Sequence, residues 1–106
     1  MTLEQIATEM RQIAVQHPFD PLSGQLISRR HFREVTVEGF QVKIGFTLTR
    51  LQQKQVYQLS IGHPTGHLFS VPEYVIDKIR LAFFPESGGR PIPSVLRNTR
   101  QFIQIL

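Results

Sequence analysis

From Phe40 to Thr49 every even position is apolar and every odd position is polar or glycine. A period of two belongs to a β-strand with one buried face. Phe40, Val42, Ile44, Phe46 and Leu48 therefore point to a core, and Gln41, Lys43, Gly45, Thr47 and Thr49 to the other side. Val35-Thr36-Val37 leads through Glu38-Gly39 into this strand, and after a Leu51-Gln52-Gln53-Lys54 loop the run Val56 to Ile61 completes a β-meander. With Glu38-Gly39 as a two-residue turn, Val37 faces Phe40, Val35 faces Val42, and Glu34 opposes Lys43. Continued further, the register puts Arg33, His31 and Arg29 on the core side, opposite Ile44, Phe46 and Leu48, where an unpaired charge is costly. The pattern thus predicts either a β-bulge near Arg33, turning Phe32 inward and the basic residues outward, or an end to pairing at about Glu34.

Helical spacing flanks the meander. Leu3, Ile6, Ala7, Met10, Ile13 and Ala14 recur at three and four residues over Thr2 to Gln16, with Thr2 and Gln5 spaced as a capping box and His17-Pro18 as the stop. Phe19 to Gly24 is then a connector. Ser70 and Glu73 have capping-box spacing at a second helix start, with Phe69 and Tyr74 placed as a hydrophobic staple. Val75, Ile76, Ile79, Ala82 and Phe83 form its buried stripe, while Tyr74, Leu81 and Phe84 widen the apolar surface beyond what one sheet face needs. Pro85 ends this helix, and Glu86 to Pro93 reads as a hinge rich in glycine and proline.

The tail Arg100 to Leu106 fits a strand better than a helix, because its β-branched and aromatic residues are poor helix formers and the meander has an edge to cover. The fold class that follows is α+β: a three- or four-stranded, largely antiparallel sheet, made of the meander plus a C-terminal strand, with two helices packed on one face. At 106 residues this is a single domain, 1–106.

Composition narrows the chemistry. The absence of cysteine excludes disulfides and thiolate-ligated metals. Without a basic-then-apolar leader or an apolar run of roughly 20 residues, the chain is expected to be soluble and cytoplasmic with no membrane partner. The formal charge of +4 is uneven. Arg29, Arg30 and Arg33 cluster before the central strand, and Arg90, Arg97 and Arg100 lie in a C-terminal stretch without acids. Arginine suits forked contacts to phosphate or carboxylate, so these six form a candidate anion or nucleic-acid site, provided the last strand lies near the first. The face that would stack bases, however, offers Gln41, Lys43, Gly45, Thr47, Thr49, Gln58 and Ser60 instead of aromatic residues, with Phe32 the exception if it points that way.

His63-Pro64-Thr65-Gly66-His67 brings two histidines close, with Glu73 downstream as a carboxylate. Pro64 and Gly66 make the segment a turn, where the four-residue spacing does not put both rings on one face, and no third ligand follows at a metal-site spacing. Neither a nucleophile elbow nor a phosphate-binding loop is present, so no catalytic residue, metal or cofactor is assigned. The resulting expectation is a small, basic, non-catalytic interaction module that binds a protein partner or forms a homo-oligomer, with Tyr74, Leu81 and Phe84 as its partner surface. The alternative is a nucleic-acid-binding protein using the arginine clusters. A third reading, a histidine- or metal-dependent enzyme, requires His63, His67 and Glu73 to converge.

Overall fold

The computed structural model describes residues 1–20, 22, 28–66, 71–85, 92–96 and 99–105. The elements run α1 (Leu3–Gln16), β1 (Phe32–Val37), β2 (Phe40–Leu51), β3 (Lys54–Gly62), α2 (Glu73–Phe83), β4 (Ile92–Leu96) and β5 (Thr99–Ile105), with one turn of 3-10 helix at Arg29–His31 before β1. The strands form one antiparallel sheet in the order β1-β2-β3-β5-β4, and both helices cover the same face. The α+β class, the meander, the C-terminal strand and the two-helix layer agree with the sequence pattern. β4 extends that sheet at its outer edge, inside a segment whose prolines read as a hinge. Pro93 sits in this strand because an edge position tolerates a residue without an N–H.

The turn chemistry fixes the meander. Glu38 and Gly39 both adopt positive φ (52° and 82°), as do Gln52 and Gln53 (51° and 65°), so each hairpin closes through two residues in the left-handed region. The second connection is therefore shorter than the four-residue loop expected, with strand geometry reaching Leu51 and resuming at Lys54. Val37 pairs with Phe40, Val35 with Val42 and Glu34 with Lys43, as the alternation requires.

The same register continues unbroken through Arg33↔Ile44 to Phe32↔Gly45, which overturns both the bulge and the early end to pairing. The physical reason lies outside the sheet. Arg33 keeps its place on the helix-covered side because Glu9 of α1 meets it there, Nη1 donating to Oε2 at 3.1 Å and Nη2 to Oε1 at 3.3 Å. Phe32 points to the opposite face, where its ring lies across Gly45; a Cβ there would come within 2.7 Å of the ring and 2.5 Å of Ser60 Oγ. Lys43 Nζ sits 5.2 Å from the centroid of the same ring.

The core lies between sheet and helices, built from Val42, Ile44 and Phe46 of β2, Leu59 and Ile61 of β3, Phe102 of β5, Ala7, Met10 and Ala14 of α1, and Val75, Ile76, Ile79 and Phe83 of α2. Phe46 is its centre, with ring centroids 5.1 Å from Tyr57 and 5.0 Å from Phe83. α1 starts on the expected capping box, Thr2 N–H donating to Gln5 Oε1 (2.8 Å) and Gln5 N–H to Thr2 Oγ1 (3.2 Å). α2 starts later than its sequence signature suggests. Pro72 is the N-cap and makes no side-chain cap bond, while Glu73, assigned to a capping box with Ser70, turns its carboxylate to Arg100. Ser70 and Phe69 lie outside the described residues. At its other end α2 is tied to α1, because Arg11 Nη1 donates to the Phe83 carbonyl and the guanidinium lies 5.7 Å from the Tyr57 ring centroid. A cation thus sits at the negative end of the helix dipole.

Candidate functional site

Among the described residues, the arginines singled out by charge do not form one patch. Arg33 and Arg100 stand on the same transverse row of the sheet, Arg33↔Ile44↔Ile61↔Arg100, but three strand spacings apart, about 14 Å. Each holds a helix. Arg33 forks onto Glu9 of α1, and Arg100 forks onto Glu73 of α2 with Nη1–Oε2 at 2.7 Å and Nη2–Oε1 at 2.6 Å. The two were assigned to anion binding, but both guanidiniums have their fork directions occupied by a carboxylate of this chain. Arg90 and Arg97 lie outside the described residues.

Arg29 and Arg30 are exposed, in the turn that Ser28 Oγ caps by accepting from Arg30 N–H (3.2 Å). Arg30 Nη1 donates to His17 Nε2 at 3.2 Å, and buried His31 donates from Nε2 to the His17 carbonyl at 2.8 Å. His31, counted with the basic run, is thus the post that fastens the turn to the C-terminal end of α1. Arg29 and Arg30 precede β1, whose first residue pairs with Gly45, so they lie toward the end of the sheet where β2 turns into β3. That hairpin carries Arg50 and Lys54, both exposed and without a carboxylate ion pair among the described residues. Sequence reasoning missed these two because they stand singly in the chain; the positive-φ turn at Gln52-Gln53 puts them at the same end of the sheet, where the register (Arg50↔Gln55, Leu51↔Lys54) sets them on opposite faces. A cavity of about 680 Å³ adjoins this end, lined by Phe19, Leu48, Arg50, Gln53 and Gln55 among others.

The apolar surface of α2 divides. Val75, Ile76, Ile79 and Phe83 face the core, whereas Tyr74 and Leu81 are 57% and 56% exposed. Phe84, grouped with them as a partner-binding residue, is buried. The chain leaves helical geometry there (φ −125°, ψ 67°), and the ring lies against Phe46 with centroids 5.9 Å apart. Tyr74 leans on Phe40 edge to face, at 6.2 Å. Lys78, between Tyr74 and Leu81, donates to Glu38 in the β1–β2 turn; that bond and the charge of Glu38 raise its ammonium pKa above the ordinary lysine value.

The described histidines are occupied locally. His63 Nδ1 accepts from Thr65 N–H at 3.1 Å and lies 2.7 Å from Thr65 Oγ1, closing the turn that Gly66 N–H completes by donating to the His63 carbonyl. Glu73 is held by Arg100, and His67 lies outside the described residues. No group of three or more histidine and acidic side chains converges among the described residues, and none of their helices is long and apolar enough to cross a membrane.

Compared with known protein families, with curated proteins and with solved structures, the chain matches none.

Proposed function

We propose that this chain is a non-catalytic interaction module that binds another protein through the outer stripe of α2. The supporting observation is the exposure of Tyr74 and Leu81, each more than half open to solvent, on the helix face opposite the core residues Val75, Ile76, Ile79 and Phe83. Scattered apolar side chains are ordinary on any surface. Two placed seven residues apart fall on one line of a helix, the spacing used when a helix presents anchors to a partner. The test is a photo-reactive residue substituted for Leu81 in cells, with Gln41, exposed on the opposite face of the sheet, as the control position. Discrete protein adducts from position 81 and none from position 41 are expected. Absence of adducts at position 81 overturns the reading.

A second reading, contact with nucleic acid, rests on a different observation. Among the described residues, four of the five exposed lysine and arginine side chains without a carboxylate ion pair, Arg29, Arg30, Arg50 and Lys54, lie toward the β2–β3 end, while the fifth, Lys43, stands apart over the Phe32 ring. Positive charge concentrated at one end of a sheet attracts phosphate without reading sequence.

A further inference from the structure

We infer that the cavity between the connector after α1 and the β2–β3 hairpin binds a small carboxylic acid with an apolar body. No residue of α2 lines it, so the inference stands apart from the protein-binding reading. The site follows from unequal strand lengths. β1 begins at Phe32, opposite Gly45, while β2 runs on to Leu51, so from Phe46 onward that edge of β2 has no strand partner among the described residues. Pro18 stops α1 and leads the chain along the bare edge, where Phe19 N–H donates to the Leu48 carbonyl at 2.9 Å. Beside that contact lies the cavity of about 680 Å³, within the roughly 300–1,000 Å³ of small-molecule sites.

Half-buried Phe19 and buried Leu48 give the lining its apolar part, and exposed Arg50 and Gln55 its polar part. By strand alternation Leu48, Arg50 and Gln55 share the helix-covered side of the sheet. A molecule lying on Leu48 therefore has Arg50 two residues along the strand, roughly 7 Å away. Even-numbered residues of β2 also turn their main-chain groups toward the bare edge, as the Phe19–Leu48 bond shows, so the Arg50 N–H is aimed there too. Charge then selects the head group. Arg50 has no carboxylate ion pair among the described residues, whereas the acid of the lining, Asp20, accepts from Leu22 N–H at 3.0 Å. A planar carboxylate matches the guanidinium fork; an amine meets like charge, and a wholly apolar molecule leaves the arginine unused.

The test is a titration of the isotopically labelled full chain with hydrocinnamate, its neutral amide and inorganic phosphate, each to about 10 mM, followed by backbone amide shifts. The acid is expected to shift Phe19 and the stretch from Leu48 to Gln55, and its amide to bind about tenfold more weakly, as the loss of a charge-assisted hydrogen bond requires. Arg50→Gln, at an exposed position, should bring the acid down to the affinity of the amide and leave the amide unchanged. Phe19→Ala, first matched to wild type by far-ultraviolet circular dichroism, should weaken both alike. Absence of these shifts with the acid, equal binding of acid and amide to wild type, or an Arg50→Gln chain that still prefers the acid overturns the inference. Inorganic phosphate shifting the same amides as strongly as the acid also overturns it, because Arg50 would then be a bare cation with no use for the apolar wall.

Discussion

Arg33 is a charged side chain on the covered side of a strand, and its tolerance there depends on one residue of another element. The fork to Glu9 is about one-third exposed on the arginine side and somewhat more on the glutamate side, so solvent screening holds its worth to about 1 kcal/mol. Arg33→Ser should therefore lower stability by roughly that amount, with Glu9→Gln giving a similar loss and the double variant little more than either alone. Denaturant midpoints of the three variants measure this; losses that simply add would mean the fork contributes nothing. Arg29→Ser and Arg30→Ser, at exposed positions, should stay within about 0.5 kcal/mol. The contrast marks where sequence reasoning reached its limit. Parity placed Arg33 correctly on the covered side, but the carboxylate that makes this acceptable lies on α1, remote in sequence, and no strand-by-strand argument supplies it. Phe84 failed for a related reason, because helical spacing stops describing a side chain at the residue where the helix ends.

Among the elements, β2 was the most legible, since a strict period of two admits one assignment and the Glu38-Gly39 turn then sets the register. Ile44 is fully buried and Lys43 exposed on the other face beside Phe32. Ile44→Ala should cost about 2–5 kcal/mol by cavity formation, and Lys43→Glu only about 1 kcal/mol, through the lost ring contact and a new repulsion with Glu34. Comparable losses in chemical denaturation would contradict the assigned faces. The start of α2 was less legible, because Ser70 and Glu73 satisfy a capping pattern while the carboxylate is taken by Arg100 on β5. β4 was illegible for a different reason: its proline, Pro93, argues against a strand in general, and only the finished sheet order makes it an edge, where a proline is allowed.

At the level of the whole molecule, the sheet order separates the described arginines of the two clusters into Arg33 and Arg100, which brace the fold, and Arg29 and Arg30, which stand with Arg50 and Lys54 toward the β2–β3 end. If the latter contact phosphate, a labelled chain titrated with mixed-sequence nucleic acid should shift amides at Arg29–Arg30 and Arg50–Lys54. Four such contacts imply roughly a 100-fold loss of affinity between about 50 and 200 mM salt. No shifts at the lower salt would remove the nucleic-acid reading, and shifts centred on Arg33 and Arg100 would mean the forks open on binding. The six-arginine patch seen in the sequence needed the last strand beside the first, and connectivity puts two strands between them. That connectivity also sets a sequence of events in synthesis. β5 follows β4 in the chain yet lies inside it, between β3 and β4. Until residues 99–105 have left the ribosome, β4 has no neighbour to join and the far side of β3 stays unpaired. The domain must therefore close after that stretch is made, and a chain stalled short of it displays a bare strand edge of the kind that draws other chains into aggregates.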